Sequence, residues 1–163
     1  MISYSHSQYL LLIACSQRKL SISGLLPALE RYDGGHYRLL RKACREGYWT
    51  ENLEVFILSA KYGLIRSSTP IENYERRMDQ KRAEELRSQT LQTLRDIAQQ
   101  NTYSEVYVEL GQDYLPAVGN LSEIFKDSMV IYGSGRIGER LASLKQWIKR
   151  IYNAEKALVV EIN

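Results

Sequence analysis

The sequence predicts an α/β fold: a single domain with a mostly parallel central sheet of about five strands flanked by helices. Three observations carry this. Two continuous apolar runs, Leu10 to Ala14 and Val55 to Leu58, are saturated in the way of strands buried on both faces. Stretches with helical periodicity alternate with such runs along the chain. The 163 residues carry no internal repeat, low-complexity tract or proline-rich linker, so residues 1–163 suit one core rather than two.

The elements follow in order. Tyr9 to Ala14 is the first core strand. Residues 24–32 read as a short helix with Pro27 near its first turn. Asp33-Gly34-Gly35 interrupts it, and Asp33 or Gly35 caps a second helix over 36–46. The second strand spans 54–59, and 62–72 is a loop with Ser67-Ser68-Thr69-Pro70 as its turn chemistry. A long helix over 79–99 keeps Ala83, Leu86, Leu94, Ile97 and Ala98 on one stripe, with Asp79 as N-cap. The third strand, 105–110, ends at Gly111, and a helical stretch over 114–125 leads to a fourth strand over 128–132. A glycine turn over 133–138 opens a helix to about Tyr152, and 157–162 makes a last strand whose position and direction are not set by the sequence.

Composition narrows the function. A net charge of +3 permits a polyanionic partner without demanding one. Arg38, Arg41, Lys42 and Arg45 fall on one helix face, and Arg76, Arg77, Lys81, Arg82 and Arg87 are interleaved with Asp79, Glu84 and Glu85, so both groups read first as solvated surface. Two cysteines, Cys15 and Cys44, imply reduced thiols and a cytoplasmic setting. The histidines, His6 and His36, share no metal-ligand spacing with them, and neither a metal nor a cofactor is expected. No run approaches a membrane span. Residues 1–8 are polar and lack a basic segment before the first apolar run, which therefore reads as core and not as a signal peptide. Assembly of identical copies is left open.

The chemistry concentrates at two strand ends. The first strand runs into Cys15 and Ser16, with Lys19 just beyond, and the second into Ser59-Ala60-Lys61-Tyr62-Gly63. In parallel sheets, ligands bind outside the carboxyl ends of the strands, so two lysines, a thiol and two hydroxyls share one rim. Lys19 and Lys61 on that rim repel each other, which lowers the pKa of at least one and makes its amine a nucleophile or base. Either lysine favours the thiolate of Cys15. Ser59 and Gly63 allow a close backbone turn, and Tyr62 offers a face for a planar base. Tyr32, Tyr37, Tyr74 and Tyr114 add stacking surface in a chain with 12 tyrosines and two phenylalanines.

Gly133-x-Gly135-x-x-Gly138 follows a strand and opens a helix, the context of a dinucleotide fingerprint, and Glu161 stands where a ribose-binding acid belongs. Only one strand remains after it, so a complete dinucleotide half cannot follow. An anion held by Gly133, Gly135 and Arg136, or a tight structural turn, fits better.

These junctions resemble a small uncharacterised bacterial domain family, similar in pattern to the YaaA peroxide-stress proteins. The matching residues are Cys15, Ser16 and Lys19 of C-S-x-x-K; Tyr32 and Gly34; Ser59 to Leu64 of L-S-A-K-Y-G-L; Tyr74; Gly111 and Tyr114; and the turn from Gly133 to Gly138. The Cys15–Lys19 spacing also looks like the catalytic segment of archaeosine synthase, which modifies a deazaguanine base in transfer RNA, and there the motif's lysine attacks a nitrile, a role that falls on Lys19. Leu20 and Ser21 follow here where that enzyme has proline and tyrosine. The resemblance to YaaA proteins implies DNA binding and protection from peroxide.

The expected function is an enzyme of transferase or glycosylase type acting on a nucleobase, nucleotide or nucleic-acid base. Cys15, Lys19 and Lys61 are its catalytic candidates, and Ser16, Tyr32, Ser59, Tyr62, Gly63, Tyr74, Gly111, Tyr114, Gly133, Gly135 and Arg136 its binding residues. The alternative is a non-catalytic DNA-binding stress protein that uses the basic stretch from Arg76 to Arg87.

Overall fold

The structure is a computed structural model that describes residues 7–162. His6, and the polar start apart from Ser7 and Gln8, lie outside the described residues. Five strands form one sheet in the order β4-β3-β1-β6-β7: β1 is Tyr9–Ala14, β3 Leu53–Ser59, β4 Gly63–Arg66, β6 Glu105–Glu109 and β7 Met129–Tyr132. The first strand lies at the centre, parallel to β3 on one side and to β6 on the other, with Ile13 level with both Ile57 and Glu109. β7 continues the parallel set beyond β6, while β4 turns back antiparallel along β3.

Strand alternation splits the core in two. Leu11, Ile13, Val55, Ile57 and Tyr107 face a layer built from α1 (Ala28–Arg31), α2 (Gly35–Glu46) and α5 (Ile137–Ile162), where Leu40, Ala43, Leu144, Trp147, Ile148 and Ile151 are buried. Leu10, Leu12, Phe56, Leu58, Val106 and Val108 face α3 (Gln80–Gln100) and α4 (Leu121–Ile124) through Ala83, Leu86, Leu94, Ile97 and Phe125. Burial on both faces is why the two apolar runs show no polar alternation. Asp79 caps α3 as its position suggests, accepting the Arg82 N–H at 2.7 Å. No described helix is long and apolar enough to cross a membrane.

Several expectations are corrected. Residues 157–162 are the end of α5 and not a strand, so Glu161 stands on a helix. No glycine or proline follows Gly138, and the stripe Leu144, Trp147, Ile148, Ile151 propagates a helix that the β-branched pair at 159 and 160 does not stop. The fifth strand is instead β4, inside the segment read as a loop. Gly63, at φ +75°, lets the chain reverse so that Ser59 pairs with Gly63 and Leu58 with Leu64. The same segment holds β5 (Pro70–Ile71), which pairs with β2 (Leu26–Pro27) and so confines the first helix to Ala28–Arg31. Gly34, and neither Asp33 nor Gly35, sits at the N-cap of α2. Residues 114–125 divide into a 3-10 turn, Leu115–Ala117, and α4, broken by Gly119 at φ +58°.

Arg31 is fully buried, and among the described residues the partners of its guanidinium are backbone carbonyls. Its guanidinium donates to the carbonyls of Leu20, Ile22 and Gly24 at 2.7, 2.7 and 2.5 Å and reaches Ile71 O at 3.4 Å. The loop that follows Lys19 is thereby tied to α1. Arg31→Met removes the donor for several buried carbonyls, so urea unfolding is expected to register a loss of about 3 kcal/mol. Arg38→Ala, an exposed change on an ion pair screened by solvent, is expected to leave the unfolding midpoint close to the parent's in the same titration.

Candidate functional site

Because β3, β1 and β6 are parallel neighbours, their carboxyl ends deliver Ser59, Cys15 and Glu109 to one edge of the sheet. Behind β1, Ser16 Oγ donates to Arg18 O at 2.5 Å and accepts the Gly34 N–H at 3.2 Å. Gly34 permits this approach, since a Cβ there would lie 2.9 Å from Ser16 Cβ. Lys19 then pairs through its backbone with Tyr32.

Three buried hydroxyls lock the second junction. Tyr32 OH lies 2.6 Å from Tyr74 OH and 3.2 Å from Ser59 Oγ, and Ser59 Oγ lies 2.9 Å from Tyr74 OH. Ser59 Oγ also accepts the N–H groups of Lys61 and Tyr62 at 3.2 and 3.1 Å, which shapes the turn into β4. Burial raises the pKa of both phenols, that of Tyr32 to about 12.

Both lysines rest on the tyrosines of this group. Lys19 Nζ lies 4.4 Å from the Tyr74 ring centre and 5.8 Å from that of Tyr32, and it donates to Gln17 O at 3.2 Å. Lys61 Nζ lies 5.1 Å from Tyr62 and 5.6 Å from Tyr74. Their surroundings differ, for Lys19 is half-buried and Lys61 exposed. Burial lowers the pKa of Lys19, opposed by its electrostatic interactions with Cys15 and Glu75. The cause is therefore desolvation and not repulsion by Lys61.

Cys15, Ser16 and Lys19 line a cleft of about 590 Å³ with Gln17, Tyr114 and Asp113, closed by the 75–78 segment that leads into α3. Tyr114 OH stands 3.2 Å from Cys15 Sγ and 3.4 Å from Cys15 O. Burial, and next its interaction with Cys15, push its phenol pKa up. Tyr114 reaches this place through a turn in which its N–H donates to Gly111 O at 3.0 Å. Cys15, Lys19 and Tyr114 thus share a cleft, while Lys61, Tyr62 and Gly63 stand outside its walls.

The glycine turn lies apart from the lysine cleft. Gly133 follows β7 and packs against the Glu109 carboxylate, which a side chain at 133 would displace. Arg136 N–H donates to Glu139 Oε2 at 3.3 Å, and Gly135, at φ +87°, leaves room for that carboxylate. The start of α5 is thus met by an acid of its own first turn, and Gly133, Gly135 and Arg136 do not line the lysine cleft.

Sequence reasoning passed over Glu75, Arg76, Arg77 and Asp113 as cleft residues, and over His36, Glu109 and Arg140, which gather beside Cys15 in a neighbouring cleft. A carboxylate closing the otherwise apolar run Val106-Tyr107-Val108 was the available signal for Glu109.

The chain belongs to a family of unknown function, DUF6884, whose pattern matches residues 10–146. No curated protein matches it. A similar solved structure is the crystal structure of AF0587, a protein of unknown function: it is 18% identical, with a TM-score of 0.43, over 88% of this chain and 45% of that one.

Alkaline pH tests the hydroxyl cluster. Folding raises Tyr32 from 10.0 to about 12, so below pH 10 both states keep the proton and its contribution to stability is constant. Above that pH the unfolded chain ionises first, and stability falls until Tyr32 itself ionises. The expected result is cooperative unfolding between about pH 10 and 12, with tyrosinate absorbance rising in step. Smooth titration of every tyrosine near its ordinary value, with the fold intact, would contradict the buried triangle.

Proposed function

We propose that the chain is an enzyme of transferase or glycosylase type acting on a nucleobase, nucleotide or exposed nucleic-acid base at the Cys15–Lys19 site. The observation that carries the reading is the half-buried Lys19 amine, its pKa lowered by burial, in one cleft with Cys15 and Tyr114. An amine that sheds its proton more readily is a better nucleophile at neutral pH. Arg76 and Arg77 on the cleft wall suit a phosphate, and Asp113 and Glu75 suit the donor edge of a base. The likeness of Cys15, Ser16, Lys19 and Ser59 to Leu64 to the pattern of YaaA proteins, and of the Cys15–Lys19 spacing to that of archaeosine synthase, points the same way. Lys19 acts as nucleophile or electrostatic clamp, Cys15 as its supporting thiol and Tyr114 as a wall. Lys61, exposed beside Tyr62, is assigned to phosphate contact outside the cleft.

A second reading, a DNA-binding protein without turnover, draws on Arg76 and Arg77 at the same wall. Its basic stretch is weakened by internal use: Arg82 donates to Ala60 O, Lys61 O and Glu85, and Arg87 to Pro116 O.

Thermal shift with a panel of bases, nucleosides and nucleoside monophosphates tests the first reading. A ligand at a hundred times its Kd is expected to stabilise the fold by about 2.7 kcal/mol. Lys19→Ala should erase that shift while its own melting stays within about 1 kcal/mol of the parent. An unchanged shift in that variant removes lysine chemistry from the proposal. Salt then separates the readings: a protein neutralising several phosphates loses affinity for a DNA duplex steeply between about 50 and 200 mM salt, whereas binding in an enclosed base pocket changes little.

A further inference from the structure

Cys15 and Ser16 also line a second cleft, of about 300 Å³, that Lys19 does not reach. The thiol packs against both halves of the core, and this cleft opens on the side of α2 and α5. Its polar walls are His36, Glu109 and Arg140, three residues that the lysine chemistry leaves unused.

Glu109 ends β6 with its side chain 4% exposed. Arg140 Nε donates to its Oε1 at 2.5 Å, and His36 Nε2 lies 3.3 Å from the same oxygen. Among the described residues, Glu109 Oε2 and His36 Nε2 are buried without an aligned hydrogen-bond partner. Burial works to raise the carboxyl pKa, but His36 and Arg140 outweigh it and hold Glu109 below its ordinary range, hence ionised. A ring nitrogen facing a buried carboxylate carries the proton, which leaves the basic lone pair of His36 on Nδ1. A carboxylate behind an imidazole, with a thiol on the same cleft, is the order of parts in nucleophilic cysteine sites.

We propose that His36, oriented by Glu109, is the proton acceptor for Cys15, and that the smaller cleft admits a small uncharged electrophile to the thiol. Its volume, at the lower end for ligand pockets, restricts the reactant's size. The mutual pairing of Glu109 and Arg140 leaves little net charge to attract an ion. In the reaction Cys15 Sγ bonds to the electrophilic carbon and the thiol proton passes to His36. The leaving group departs with the bonding pair or, in a carbonyl reactant, the π pair moves onto oxygen. Tyr114 OH, kept protonated by burial, donates to the sulfur as it gains charge. The inference rests on the reading of Cys15 as part of a catalytic site but requires no nucleotide.

Iodoacetamide, small and uncharged, is the probe, in a Cys44→Ser background that removes the exposed thiol. Alkylation of Cys15, followed by mass spectrometry, forms the S–C bond and expels iodide. His36→Ala is expected to slow it by on the order of tenfold or more, and millimolar imidazole to restore much of the rate in that variant while having no effect on Cys15→Ser. Glu109→Gln, acting through the ring, should slow it less. His36→Gln, which keeps an N–H toward Glu109, should be as slow as His36→Ala and decides the matter if the alanine variant does not fold. The parent rate in folded His36→Gln overturns the proposal, as does a slow His36→Ala that imidazole fails to rescue. Absence of any nucleotide shift alongside clear imidazole rescue would discard the nucleobase reading and leave His36 in its role.

Discussion

The hydroxyls of Tyr32, Ser59 and Tyr74 are buried together, and each finds its partners in the other two. Their segments stand 15, 27 and 42 residues apart in the chain, so the triangle closes only when the first helical layer, the end of β3 and the segment before α3 have all docked. A buried hydroxyl without a partner costs about 1–3 kcal/mol, so losing one corner leaves the other two worse off as well. Everything at the rim hangs from this triangle. Tyr32 pairs with Lys19 through the backbone, Ser59 gathers the N–H groups of the turn at Lys61 and Tyr62, and Tyr74 gives both amines their ring.

The lysines show which electrostatic effect governs here. Two cations beside one ring repel, but in water two unit charges even 4 Å apart interact by only about 1 kcal/mol. Lys61 is exposed, so its field is screened before it reaches its neighbour. Lys19 has lost part of its hydration to Tyr74, Tyr32 and the loop pinned by Arg31, and that loss outweighs both the rings and its electrostatic interactions with Cys15 and Glu75. Two residues that look equivalent on strand ends therefore differ in chemistry through a difference in burial.

How much was legible in the sequence follows from the range of the interactions involved. The apolar runs at 10–14 and 55–58 announced buried parallel strands because saturation on both faces is a local property. Gly34 and Ser16 read as motif residues, yet their reason, a close approach across 18 residues, appears only in three dimensions. β4 was hidden because four residues after a tight turn give too short a pattern, although Gly63 followed by Leu64 and Ile65 was its trace. The terminal strand failed for the opposite reason: a β-branched pair is a weak local preference, and a helix already nucleated over several turns overrides it. His36, Glu109 and Arg140 come from α2, β6 and α5, and no spacing rule connects such positions.

The place where the clefts meet is set by topology rather than by any motif. From β1 the chain moves to β3 on one side of the sheet, then crosses to β6 on the other, so β1 is where the strand order reverses. Loops leaving the sheet in opposite directions part there and leave a crevice at the strand end. The Tyr114–Cys15 contact spans that crevice, joining the segment after β6 to the end of β1. A residue at this point is not covered by either helical layer alone, which is why Cys15 touches both halves of the core and stays half-exposed. On one side it meets a half-buried amine with Arg76 and Arg77, on the other an imidazole backed by a buried carboxylate. A thiol in that position borders one cleft that holds an amine and another that holds an imidazole, which no single loop of this chain supplies together.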